Sequence, residues 1–350
     1  MTRQPYLLPA LLVLTLARYM ALDTIPLSEI EKYTLRCAAD FDFWHPSLGP
    51  ILPLITKATT AVFGENVWGV RCLSPLIILG SSILLWNLCL GLFDATTAAW
   101  SVVVLNVVPA VNVAAITLTP TTFGIATSII VLCTLRVALH SQHPWHQPWW
   151  LLGLSFVVAF MIDWRLLMLS VAAGMTMLLS GRGRRALLRW PVVPILAGCL
   201  GFALTLFIAW NTDHHWSGLK PFLEKTSLME VAIQLGVLLS PLLLPAFAWA
   251  YASASRKKPM GYAIGMLGAF SLPMIMLDAL SWSQLPWPCA AYSGWIAPAS
   301  ALLAHQMLNA DMLRPRFMLT VRCIVLGSAA ILSCAVVHGG LLRSLGLIAH

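Results

Sequence analysis

Apolar residues in this chain fall in long blocks separated by short polar loops. A helix needs about 20 predominantly apolar residues to cross the hydrocarbon of a bilayer, because its backbone polar groups must all be satisfied within the segment. Such blocks lie at 6–24, 66–92, 96–115, 119–139, 149–162, 165–181, 190–210, 228–252, 260–279, 289–309 and 317–339. They predict an all-α polytopic membrane protein of about 11 transmembrane helices. Blocks 149–162 and 165–181 are short and are separated by Asp163-Trp164-Arg165, which predicts a tight helical hairpin. Residues 50–63 (ILPLITKATTAVFG) are apolar but too short to span comfortably, so they predict a helix lying along the interface. The first block contains Arg18 and no small-residue cleavage site follows it, which favours a retained anchor over a signal peptide.

Composition narrows the class further. Hydrophobic residues make up 59% of the 350 and charged residues 10%, with a mean hydropathy of +0.83. Soluble domains carry about 25% charged residues, so this chain lacks the polar surface to stay in water. No polar stretch is long enough for a separate soluble domain. Residues 1–350 are therefore expected to form one transmembrane unit without a C-terminal soluble domain. The eight cysteines show no Cys-x-x-Cys or Cys/His spacing, and they read as small buried hydrophobes. No metal and no cofactor are expected.

The net charge of +8 reports topology. With the N-terminus in the cytoplasm, Arg3, Arg136, Arg182, Arg184, Arg185, Arg189, Arg256, Lys257, Lys258, Arg314 and Arg316 all fall on the cytoplasmic side, as the positive-inside rule requires. Acidic residues gather opposite, at Asp23, Glu29, Glu31, Asp40, Asp42, Glu65, Asp213, Glu224 and Asp278. The basic balance thus points to anionic lipid and not to nucleic acid. Polar chemistry concentrates in three outer loops. The first, about 25–65, holds Ser28-Glu29-Ile30-Glu31-Lys32-Tyr33 and Asp40-Phe41-Asp42-Phe43-Trp44-His45-Pro46. The second, 211–227, begins Asn211-Thr212-Asp213-His214-His215-Trp216-Ser217, and the third, 280–288, contains Leu285-Pro286-Trp287-Pro288. Carboxylates, imidazoles and indoles there can supply acid–base chemistry and stack on a sugar or headgroup. Trp44 and Trp216 also fit an aromatic belt at the membrane edge. Arg18 and Arg165, near helix ends, are expected to snorkel, although an arginine inside a span is a functional suspect by default.

The order of these landmarks resembles the GT-C superfamily of lipid-linked sugar transferases, specifically family 39 relatives of protein mannosyltransferases and aminoarabinose transferases. That family's first outer loop carries Pro-Leu-Ser…Asp-Glu-Ala-Tyr-Tyr and then an aromatic-rich segment ending His-Pro-Pro-Leu. Here the matches are Pro26-Leu27-Ser28-Glu29-Ile30-Glu31-Lys32-Tyr33 and Asp42-Phe43-Trp44-His45-Pro46-Ser47-Leu48. Phe63-Gly64-Glu65 through Arg71, Thr119-Pro120-Thr121, Trp210-Asn211 through Ser217, and Pro286-Trp287-Pro288 through Tyr292 match later family elements in order.

The resemblance implies a GT-C-like bundle with interfacial helices in an extracytoplasmic first loop, set in a bacterial inner membrane. It also implies transfer of a sugar from a polyprenyl-phosphate donor to a lipid or glycan acceptor on the outer face. The family's catalytic Asp falls on Ile30 and its second acidic position on Thr121, leaving Glu31, or Glu29 after a one-residue shift, as the base. Lys57 and Arg71 are then the donor phosphate ligands. Asp42, His45, Asp213, His214, His215, Trp216 and Trp287 shape the sugar or acceptor pocket. The loss of both acidic positions equally suggests a catalytically degenerate subunit of a larger membrane complex with partner subunits. A transporter ranks last, since paired half-helix repeats and intramembrane acid pairs are missing from the sequence.

Overall fold

The computed structural model describes residues 6–40, 42–45, 48–140, 147–216, 240–256, 262–281, 294–311 and 315–337. Among these residues the chain is helical without strands, and every predicted apolar block falls on a helix wherever it is described. The N-terminal part runs α1 (Leu7–Met20), α2 (Glu29–Ala39), α3 (Ile51–Phe63), α4 (Val67–Arg71) and α5 (Ser74–Leu92). Next come α6 (Ala95–Val107), α7 (Pro109–Ile116), α8 (Pro120–His140), α9 (Gln147–Ile162), α10 (Met168–Leu179), α11 (Gly181–Leu187) and α12 (Val192–Asp213). The remaining helices are α13 (Leu243–Arg256), α14 (Tyr262–Ser281), α15 (Ile296–Asp311) and α16 (Pro315–Val337).

Four helices of the described residues are long and apolar enough to cross a membrane, or up to six if each bent pair counts as one span. The predicted span 96–115 is broken. Pro109 at the start of α7 has no N–H to continue the ladder of α6, and the two helices meet at 69°. The stretch Trp164–Leu179 meets α11 at 108°, where Ser180 caps the new helix by accepting from Gly183 N. Asp163 likewise caps the 3₁₀ turn Trp164–Leu167 that joins α9 to α10, but α10 packs chiefly on α14 and not back on α9, so the two do not form the tight hairpin expected from the sequence.

The core forms where α6 packs on α5 and α15, and α8 packs on α5 and α9, with Val104, Leu105, Ile129, Leu132 and Leu302 fully enclosed. α8 fixes the two ends of the bundle. Its 21 residues rise about 30 Å. At one end Leu118 N donates to Glu31, and at the other His140 Nε2 lies 3.0 Å from Arg182 Nη1. Glu31 therefore marks one rim and the basic cluster of α11 marks the other. α12 runs from the basic rim to Asp213, so Asp42 and His214 share the rim of Glu31.

Arg18 does not snorkel. It is 4% exposed and donates from Nη2 to Asn106 Oδ1 (3.0 Å) and Asn112 Oδ1 (2.8 Å), two side chains flanking the α6/α7 break. Trp44 is not part of an aromatic belt either. It is fully buried, with ring centroids 5.1 Å from Phe207 and 5.8 Å from Phe160. Trp216 is 46% exposed.

Candidate functional site

The first loop is organised by a capping box. Ser28, the N-cap of α2, accepts from Glu31 N, and the Glu31 carboxylate accepts from Ser28 N at 2.9 Å. The same carboxylate faces inward and meets Arg71 at the end of α4. Arg71 Nε donates to Oε1 (2.7 Å) and Nη2 to Oε2 (2.6 Å), a bidentate pair in which both side chains are fully enclosed. Ser28 Oγ and Leu118 N complete the shell of the carboxylate at 2.9 and 3.0 Å. Arg71 directs its other N–H groups to the carbonyls of Leu22, Ile25 and Pro26.

Glu31 and Arg71, expected from the sequence as base and phosphate ligand, are thus each other's partner. All five N–H donors of Arg71 end on protein oxygens, and neither side chain reaches an open surface. Their spacing of 40 residues gave no local sign of the pairing. Glu29, the alternate base, is exposed and pairs with Lys32 at 2.8 Å, a hydrogen bond that lowers its carboxyl pKa. Ile30 is half-buried, and Thr121 is buried in the first turn of α8.

A second cluster gathers four residues at the same rim. The segment carrying Asp42 to His45 is held by a pair of backbone hydrogen bonds between His45 and Leu48, and by Gly49 N donating to Ile162 O at 3.0 Å. Gly49 allows that approach, since a Cβ there would run into the Met161 carbonyl. Trp44 points inward and packs with Phe160, Met161, Phe207 and Trp210 as a small core of its own. Asp42 points the other way and is about half exposed. Its Oδ2 accepts from Trp210 Nε1 at 2.9 Å and lies 3.5 Å from His214 Nε2, and its Oδ1 accepts from Phe43 N at 2.6 Å. The Trp210 hydrogen bond holds the Asp42 carboxyl below the usual range, with help from Phe43 N and the two histidines.

His214 is fixed as firmly. Its ring stacks on Trp210 with centroids 4.0 Å apart and planes at 10°. Its Nδ1 lies 2.8 Å from the Trp210 carbonyl, which can only accept, so Nδ1 is the donor. In the neutral ring the basic nitrogen is then Nε2, the one facing Asp42. His45 sits beneath, its Nε2 accepting from Asp42 N at 3.4 Å, and burial lowers its pKa.

Asp213, His215 and Trp216 are exposed where α12 ends. His215 and Trp216 take positive φ angles of 51° and 57°, and Trp216 N closes on Asn211 O at 2.9 Å, a Schellman-type stop built without glycine. Lys57 lies exposed on α3. Trp287 and the 217–227 part of the second loop lie outside the described residues. Among the described residues no group of three or more His, Cys, Asp or Glu side chains is placed to hold a metal ion. Trp210 joins the site, although in the sequence it stands out only as part of the Trp210-Asn211 family element. Its indole matters because α12 carries it one turn below His214.

Residues 45–210 match the family described as dolichyl-phosphate-mannose-protein mannosyltransferase. No curated protein matches at a significant level. The crystal structure of ArnT from Cupriavidus metallidurans in the apo state superposes with a TM-score of 0.60 at 16% identity, covering 98% of this chain and 76% of that one. The ArnT structure bound to undecaprenyl phosphate gives 0.58 at 16% identity, over 96% and 76%. The archaeal oligosaccharyltransferase AglB from Archaeoglobus fulgidus, in complex with an inhibitory peptide and a dolichol-phosphate, gives 0.56 at 11% identity. This chain covers 56% of that protein's length. The chain is a multi-pass membrane protein that shares the fold of the ArnT and AglB structures, and residues 45–210 carry its likeness to the mannosyltransferase family.

Proposed function

We propose that this protein transfers a sugar from a polyprenyl-phosphate donor to a lipid or glycan acceptor on the extracytoplasmic face, with Asp42 and His214 as the proton-accepting pair. The observation that carries the reading is their convergence. One comes from the first loop and one from the end of α12, and they meet at 3.5 Å on an exposed rim. Two structural neighbours support the donor class, one bound to undecaprenyl phosphate and one in complex with a dolichol-phosphate.

Sugar transfer needs a nucleophile stripped of its proton as it attacks the anomeric carbon, while cations hold the leaving phosphate. Asp42, with its lowered pKa, is ionised at neutral pH. His214 offers Nε2 as the acceptor nitrogen, and a proton taken up there lies toward the Asp42 carboxylate that faces the same nitrogen at 3.5 Å, while Nδ1–H stays on the Trp210 carbonyl. Trp210 fixes both partners. Lys57 on α3 is the candidate for the phosphate, and Asp213, His215, Trp216 and Trp287 are the candidates for the acceptor side. Glu31 and Arg71 act as a strut that sets the first loop. The basic ends of α8 and α11 belong in the cytoplasm on this reading, with the N-terminus, in a bacterial inner membrane.

The test is transfer from a radiolabelled polyprenyl-phosphate sugar in proteoliposomes. Asp42→Asn and His214→Gln should each lower the rate about 10²–10⁴-fold, the usual contribution of a positioned base, without loss of folded protein. Unchanged turnover in both variants would remove the pair from the chemistry. A second reading, a non-catalytic subunit, is favoured by Ile30 and Thr121 standing at the two acidic positions implied by family resemblance. Stoichiometric co-purification with other membrane subunits, together with no donor turnover, would select it.

A further inference from the structure

We infer that Arg18 and the groove beside it form a binding site for an anionic phospholipid, with the lipid phosphate as the countercharge to the guanidinium. Arg18 is the one charged residue of α1, and it lies inside the bundle at 4% exposure. Its two hydrogen bonds both leave from Nη2 and end on neutral carboxamide oxygens. Those carboxamides are locked in that orientation. Asn106 Nδ2 donates to Ser82 Oγ and Val102 O, both at 2.9 Å, and Asn112 Nδ2 donates to Asn106 O at 2.8 Å. Arg18 Nε has no hydrogen-bond partner, and no carboxylate pairs with Arg18 among the described residues.

A buried cation without an anion is costly, and a neutral pin across the α6/α7 break would not need one. Arg18 also lines an open groove of about 540 Å³. That volume is within the range of small-molecule sites, about 300–1,000 Å³. The groove runs along α1 from Leu7 to Ala21, and Val103 and Ala330 supply apolar wall from α6 and α16. An elongated apolar channel with one unneutralised cation near the end of the helix fits a single acyl chain with a phosphate head. Ala10 and Ala17 of the groove lining are exposed on α1, an apolar helix long enough with its 3₁₀ extension to cross a membrane, which places the opening toward the bilayer. The site shares no residue with the Asp42–His214 cluster, so it stands apart from the transfer reaction.

Native mass spectrometry of the full-length protein, titrated with phosphatidylglycerol or phosphatidylethanolamine, tests the assignment. Wild type should retain one phosphatidylglycerol in preference to phosphatidylethanolamine. Arg18→Gln should weaken that retention about tenfold or more, as expected for losing a charge-assisted hydrogen bond. Ala330→Trp should weaken it comparably by filling the groove from α16 while leaving Arg18 in place, so it carries the test if Arg18→Gln fails to fold. Leu16→Trp, outside the groove lining, should leave retention unchanged. Equal retention of the two lipids, or retention untouched by Arg18→Gln and Ala330→Trp, would overturn the inference. So would retention of a polyprenyl phosphate in place of the phospholipid.

Discussion

Replacing Glu31 by glutamine separates a catalytic base from a structural strut. If Glu31 were only a base, Glu31→Gln would keep the shape, abolish transfer and leave the fold intact. The structure predicts otherwise. Oε1 accepts from Arg71 Nε and Leu118 N, and Oε2 accepts from Arg71 Nη2 and from Ser28 N and Oγ. Whichever way the new amide is turned, its NH₂ faces at least two donors and can accept from neither. Arg71 is then left as a fully enclosed cation without its anion. Breaking a buried pair from one side costs about 3–5 kcal/mol. Thermal unfolding of the purified protein, followed by thiol-reactive fluorescence of its buried cysteines, should show a large downward shift for Glu31→Gln. Glu29→Gln, at an exposed ion pair, should unfold like wild type. Arg71→Met combined with Glu31→Gln should recover part of the loss, because the unpaired charge is gone. A Glu31→Gln protein as stable as wild type but inactive would refute the strut and restore Glu31 as the base.

Other outcomes follow from the same geometry. Gly49→Ala should lower stability and transfer together, since its Cβ would push the Asp42–His45 segment off the end of α9. Unfolding curves and the proteoliposome assay would show this, and a neutral effect would break the proposed anchoring. The buried His45 has a folded pKa below its unfolded value of about 6.5. The unfolded chain therefore takes up the proton first, and stability should decline as pH falls from about 6.5 toward the folded pKa. His45→Gln should shrink that acid limb in a pH series of melting points, and an unchanged limb would assign it to other groups. For topology, a cysteine replacing His215 should react with an impermeant thiol reagent in intact cells lacking the native cysteines. One replacing Arg184 should not, and the reverse pattern would invert the orientation.

Sequence by itself determined the class and the helices, because those follow from summed hydropathy and from local rules. The apolar blocks had to become helices in lipid. Ser28 and Glu31 stand three apart and spell a capping box, and Pro109 removes a donor wherever it is placed. The likeness over His45 to Trp210 was also legible, since motif order survives low identity. Tertiary structure alone decided what each side chain does. Glu31 and Arg71 lie 40 residues apart, and nothing local says that each satisfies the other. Asp42 and Trp210 are separated by 168 residues, and only the packing of α12 against α9 brings the indole to the carboxylate. Arg18 reads as a snorkelling residue near a helix end until the break between α6 and α7 turns Asn106 and Asn112 toward it. Pairing partners are set by three-dimensional proximity, which depends on the whole bundle, whereas helix formation depends on a window of about 20 residues.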